Sequence, residues 1–243
     1  MLSRYLPIFI VLSILAEILG TVGGFGSSVF FVPIANFFLD FQSVLGITAL
    51  YHVSSNITKI AFFRKGLDKK VILQLGIPAV IFVIVGGYLS QFLDPEVLTY
   101  LLGIFLVVLS LLFLIFKKLV VRATAKNAFI GGTLSGLSAG ILGTGGAIRG
   151  ITLSAFKMNK DKFIATSAAI DLGVDFSRTI VYYFNGYMRK DLLYLIPILI
   201  VIGILGTWIG KQILNKISQE QFNHIVLVLI LVIGVVTLLS VFY

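Results

Sequence analysis

With 243 residues, 58% of them hydrophobic and 12% charged, and a mean hydropathy of +1.08, the chain lies far outside the range of soluble domains, which are about 45–50% apolar and 25% charged. It is expected to be an all-α polytopic membrane protein with no extramembrane enzyme, since its longest polar stretch, Lys117 to Asn127, is too short to fold alone. The net charge of +9 sits in short loops between apolar runs, where it sets topology rather than binding nucleic acid, and the absence of cysteine excludes disulfides, zinc thiolates and thiol chemistry.

The first apolar run, 5–22, resembles a signal peptide in its length, but it has no small-residue cleavage site before Glu17. It is therefore read as a retained helix with Glu17 near its middle. Runs at 27–39, 43–63, 70–92 and 97–116 follow, then a basic loop, then runs at 127–142, 147–157, 162–185, 190–214 and 221–242. A single helix over 5–39 would be about 50 Å long, beyond a bilayer core of roughly 30 Å even when tilted. The chain must break, and the break is predicted at Gly20, Gly23, Gly24 and Gly26; the second half has Gly140, Gly143, Gly145 and Gly146 in the same place.

The second five segments repeat the first five at an offset of 119 or 120 residues. Gly23 and Gly26 match Gly143 and Gly146, Pro78 matches Pro197, and Gly86 and Tyr88 match Gly206 and Trp208. The expected organisation is one integral membrane domain of two repeats, 1–120 and 121–243, each with about five helical segments including a half-helix after a glycine break. Loop charges test the orientation. The loops at 64–70 (Arg64, Lys65, Lys69, Lys70, less Asp68), 117–126 (Lys117, Lys118, Arg122, Lys126), 157–162 (Lys157, Lys160, Lys162, less Asp161) and 211–220 (Lys211, Lys216, less Glu220) are basic, while those at Asp40 and at Asp94 and Glu96 are acidic. An inverted five-plus-five arrangement puts every basic loop in the cytoplasm, with only Arg189 and Lys190 against the rule, whereas four-plus-four strands the 157–162 cluster outside. Inversion with both termini outside is the expectation.

Inside the run 162–185, Asp171, Asp175, Arg178 and Tyr182 are spaced four, three and four apart, so one helix face carries them all. Each charge costs at least about 2.5–3.5 kcal/mol at a membrane helix centre, so the ladder is by default a substrate or ion site. The bland alternative is a structural salt bridge of Asp175 with Arg178. A second ladder in the first half, His52, Asn56 and Lys59, repeats the spacing at an offset of 119 and favours a duplicated site.

Inverted repeats with broken helices place a site near the midplane, where half-helix N-termini turn their positive dipole ends toward an anion. GGFGSS (Gly23 to Ser28) and GTGGAIRG (Gly143 to Gly150) offer backbone N–H groups, Ser27, Ser28 and Thr144 add hydroxyls, and Arg149 adds a full charge. These stretches carry a resemblance. The Gly-rich break followed by an apolar half-helix with a proline (GGFGSSVFFVP), a polar helix next, and the repetition of the whole after a basic loop resemble the TauE/SafE family of sulfite and organosulfonate exporters over essentially the full length. The second half, GTGGAIRGITL, departs from that pattern in having Arg149 and no proline. The resemblance implies a multi-pass carrier in the cell membrane that exports small sulfur-containing anions.

On this reading the anion sits between the breaks, at Gly23, Gly24, Gly26, Ser27, Ser28, Gly143, Thr144, Gly145, Gly146 and Arg149, with His52, Asn56, Lys59, Arg178 and Tyr182 around it. Glu17, Asp171 and Asp175 either carry a coupling proton or neutralise the cations when no anion is bound, Arg149 being expected to pair with Glu17 or Asp171. No cofactor or metal is called for. The partners to expect are the anion, the bilayer and a second copy in a homodimer, with no nucleic acid. Two rivals remain. One is a Na⁺ or divalent-cation carrier using Asp171, Asp175 and Asn56, disfavoured by the apparent surplus of site cations. The other is an intramembrane serine protease built on GLSAG (Gly136 to Gly140), with Ser138 and either His52 or His224.

Overall fold

The computed structural model describes residues 2–24, 26–63, 66–116, 121–214, 216 and 219–241. Of the loop charges, Arg64, Lys65, Lys117 and Lys118 lie outside the described residues, as do the side chains of Glu220 and His224. Among the described residues ten helices carry the fold: α1 (Leu2–Gly23), α2 (Ser28–Asn36), α3 (Phe41–Phe62), α4 (Lys69–Ser90), α5 (Pro95–Ile115), α6 (Ala125–Leu142), α7 (Gly146–Ser154), α8 (Lys160–Phe184), α9 (Leu195–Leu214) and α10 (Gln219–Leu239). Four of them, α1 from Arg4 onward, α4, α5 and α9, are long and apolar enough to cross a membrane by length and composition. The long polar helices α3 and α8 fall outside that group because they carry the two ladders.

The predicted segments match these helices to within a few residues. The largest shift is at 190–214, where a 3₁₀ turn (Lys190–Leu192) precedes α9. Equivalent ends are built alike: Asp40 caps α3 by accepting from the Ser43 N–H at 2.9 Å, and Asn159, at the 119-residue offset, caps α8 by accepting from the Lys162 N–H at 2.8 Å. The prolines are handled differently. Pro197 lies in the first turn of α9, where it removes no helical hydrogen bond, but Pro78 lies well inside α4, which widens into a π-helical turn at Ile72–Gly76 just before it.

Helix pairings recur across the offset. α1 packs on α9 as α6 packs on α4, α3 packs on α9 as α8 packs on α4, and α3 meets α8 and α5 meets α10. A Cβ added at Gly86 would lie 2.5 Å from the Leu137 carbonyl oxygen, and one at Gly206 would lie 2.6 Å from the Glu17 Cβ; Glu17 and Leu137 are themselves at the repeat offset, so the same close approach occurs twice. Not every pairing is matched: α10 packs on α2, whereas an open apolar pocket of about 1000 Å³, lined by Val108, Leu134 and Ile148 among others, lies between α5 and α7.

Two ion pairs fix the direction of α3 against α8. Asp40, at the start of α3, is 3.3 Å from Arg189, just past the end of α8; Asp68, just past the end of α3, is 2.9 Å from Lys162, in the first turn of α8. The two helices therefore run antiparallel. At the Asp40 end, Asn185 also donates to the Gly87 carbonyl at the end of α4; at the other, Lys211 of α9 donates to the Phe62 carbonyl.

Candidate functional site

The two breaks come where the glycines predict and meet at the centre of the bundle. α1 ends at Gly23 and α2 begins at Ser28; α6 ends at Leu142 and α7 begins at Gly146. Gly26 has φ +83° and Gly143 φ +74°, a left-handed backbone that costs a side-chain-bearing residue energy and lets the chain reverse at once. Gly145 is not left-handed, with φ −142° and ψ −2°, and is needed for a different reason: a Cβ there would lie 2.0 Å from the Ser135 carbonyl oxygen. The Phe30 N–H already donates to the Ser27 carbonyl at 3.1 Å, which leaves the Ser28 and Val29 amides of α2 and the Gly146 and Ala147 amides of α7 ahead of the first helical carbonyls, and the breaks touch through the hydroxyls of Ser28 and Thr144, 3.3 Å apart.

Between them lies a cavity of about 10 Å³, room for about one water, lined by Gly26, Ser27, Ser28, Gly143 and Gly145 from the breaks, His52, Asn56 and Lys59 from α3, and Asp171, Asp175 and Arg178 from α8. The structure thus brings the two ladders and the two breaks to one place. The remaining predicted residues stand around it. Gly23 ends α1, Gly24 faces the Phe163 ring, Thr144 bonds Ser28, Gly146 begins α7, and the Tyr182 hydroxyl donates to the Gly140 carbonyl at 2.7 Å.

Arg149 is buried on α7. Its Nη1 donates to the Asp171 carboxylate, its Nε donates to Ser167 at 3.0 Å, and its Nη2, beside Gly26, has no partner. Arg178 pairs with Asp175 at 2.7 Å and donates from Nη1 to the Gly143 carbonyl at 2.7 Å, while its Nε has no partner. Asp175 also accepts from Asn56 at 2.6 Å. His52 stands between Arg178 and Ser27, 3.5 and 3.1 Å away. With Arg178 donating to its Nδ1, Nε2 carries the proton toward Ser27 and leaves the serine's own O–H free to donate elsewhere.

Of the two partners expected for Arg149, the structure gives Asp171; Glu17 does not reach Arg149, but pairs with Lys59 at 2.8 Å and accepts from Tyr51 at 2.6 Å, Ser55 at 2.7 Å and Thr207 at 3.0 Å. The reason is geometric, since α1 packs on α9 and α2 while α7 packs on α6 and α8. Nor is there a surplus of site cations: Lys59, Arg149 and Arg178 are matched one to one by Glu17, Asp171 and Asp175. The salt bridge of Asp175 with Arg178 is present and is one part of this larger set. Tyr51, Ser55, Ser167 and Thr207 are contributors that sequence reasoning missed; Thr207 was findable from its place beside Gly206, the glycine that makes room for Glu17. As for the protease rival, Ser138 lies within the continuous helix α6 with its hydroxyl on the Ser135 carbonyl, and His52 is engaged with Ser27 and Arg178.

A multi-helix bundle of apolar spans closed around two broken helices and paired buried charges defines a polytopic membrane transporter. Residues 9–237 match the family described as sulfite exporter TauE/SafE, and the chain belongs to that family. It is also 27% identical over 256 residues to a probable membrane transporter protein of Methanocaldococcus jannaschii, an alignment covering 96% of this chain and 94% of the relative. No solved structure matches the chain.

Proposed function

We propose that the protein is a secondary carrier exporting small sulfur oxyanions, sulfite or an organosulfonate, with the anion held between the two glycine breaks. The observation that carries this is a pair of buried guanidiniums, Arg149 and Arg178, each with an unpartnered N–H at or beside a central cavity. Unsatisfied buried donors are costly, and charged ones more so, which favours an acceptor-rich ligand there. First-turn amides and the Ser27 hydroxyl add neutral donors. The test is thermal unfolding of the purified protein in detergent with sulfite, methanesulfonate or Na⁺ added. An anion at 100 times its Kd should stabilise by about 2.7 kcal/mol; stabilisation by Na⁺ alone would favour the cation carrier instead. That rival needs Asp171 and Asp175 released from their arginines, and no group of three or more metal-ligating side chains is found among the described residues.

The same reading takes the repeats as inverted, with the basic loops cytoplasmic and both termini outside. The antiparallel α3 and α8 support it, because these are the equivalent helices of the two halves. Single cysteines beside Asp40 and beside Lys160 are expected to label from opposite sides of the membrane. Labelling from one side would rule out inversion.

A further inference from the structure

We infer that a monoanion enters this centre together with one proton and that Asp171 takes the proton; the inference rests on the anion-carrier reading above. Three buried acids face three buried bases, so the closed centre is already neutral. An anion added to it leaves a net negative charge in a low-dielectric site, which is costly unless a positive charge comes too.

The three carboxylates are not equivalent acceptors. Glu17 is wholly buried and receives Lys59 and four hydroxyls, so a proton there would leave donors without an acceptor. Asp175 receives both Arg178 and Asn56, and Arg178 is itself anchored to the Gly143 carbonyl. Asp171 has Arg149 as its ion-pair partner, lines the cavity, and is 16% exposed where the other five side chains of the set are at most 7%.

The geometry of Arg149 supplies the exchange. Its Nη1 is occupied by Asp171 and its Nη2 is free, so together they make the fork that matches two oxygens of one anion. Asp171 therefore holds the place of the ligand. When the anion takes the fork, Asp171 is left one turn from Asp175, with Arg178, Lys59 and His52 facing the same cavity and Glu17 behind Lys59. One proton from solvent binds a carboxylate oxygen of Asp171, one monoanion binds Arg149, and the net charge is unchanged. Such a centre selects a monoanion such as a sulfonate over a dianion, and the loaded carrier moves no net charge.

The experiment is isothermal titration of the full chain in detergent with methanesulfonate, which is fully ionised at neutral pH, and separately with sulfite. Each titration is run in two buffers of different ionisation enthalpy and repeated over a range of pH in sodium and in choline salts. The expected result is about one proton taken up per methanesulfonate, with a Kd that rises toward tenfold per pH unit as the solution becomes more basic, the slope that one linked proton requires. Asp171→Asn should bind methanesulfonate with no proton uptake and a flat pH profile. A wild-type count near zero overturns the inference while leaving the anion site standing, as does a Kd that follows Na⁺ instead of pH. Proton uptake that persists in Asp171→Asn moves the proton to another carboxylate and overturns the assignment. If neither anion binds, the carrier reading fails and takes the inference with it. The wild-type count needs no variant, so a failure of Asp171→Asn to fold does not block the test.

Discussion

Glu17→Ala is expected to lower the stability of the folded protein by about 3–5 kcal/mol, because it leaves Lys59 as an uncompensated buried charge. The loss reaches further than one ion pair. The hydroxyls of Tyr51, Ser55 and Thr207 all donate to the same carboxylate, and through them α1 is joined to α3 and α9. Glu17→Gln keeps the shape and an acceptor oxygen, so it should cost less than Glu17→Ala. Lys59→Met should fall between them, and combining Lys59→Met with Glu17→Gln should recover part of the loss, since the buried charges vanish together. Unfolding curves in detergent measure all four. A Lys59→Met protein as stable as the parent would mean that the pair holds nothing together.

The second large effect is expected at Arg178. Its guanidinium joins Asp175 on its own helix to the Gly143 carbonyl at the end of α6, so it pins the second glycine break to the second ladder. Arg178→Met leaves Asp175 with Asn56 as its remaining side-chain donor and the Gly143 carbonyl without this donor, a combined cost of about 3–5 kcal/mol with loss of anion binding. Arg178→Lys keeps the charge but cannot span both acceptors, so it should fold better than the Met variant and bind weakly. Arg178→Met with Asp175→Asn should regain stability but not binding. If the double variant regains both, the arginine only locks the helices and the anion is held elsewhere.

The helices and breaks were legible because their causes are local. Hydrophobic runs long enough for a bilayer, glycine clusters dense enough to end a helix, and a 119-residue offset in polar residues all lie in the one-dimensional pattern. The ladders were legible for the same reason: His52, Asn56 and Lys59, and Asp171, Asp175 and Arg178, are spaced for one face, and all six line the cavity. What the sequence could not give was pairing between helices distant in the chain. The sequence left Glu17 and Asp171 both open as partners of Arg149, yet α1 packs on α9 and Glu17 reaches across to α3, so Lys59 and Thr207 are among its partners. The same ignorance of pairing made three cations look like a surplus, and only the distances match each to a carboxylate. The π-helical turn of α4 was hidden for another reason: Pro78 announces that the helix is disturbed but not on which side of it the extra residue is absorbed.

The two ion pairs at the ends of α3 and α8 are similar devices in different solvents. Asp40 and Arg189 are 44% and 54% exposed, and Arg189 also holds Asp191 at 2.6 Å; Asp68 and Lys162 are 25% and 35% exposed, with the Asp68 carboxyl held below the usual carboxylate range by the Lys162 hydrogen bond and the Val71 N–H. Dissolved ions screen the more open pair more strongly, since the Debye length is about 8 Å at physiological ionic strength. Exposed pairs of this kind are weak, so it is the balance between the two that dissolved ions tilt. Ionic strength therefore acts on the two faces unequally, and a saltier medium loosens the Asp40 face before the Asp68 face.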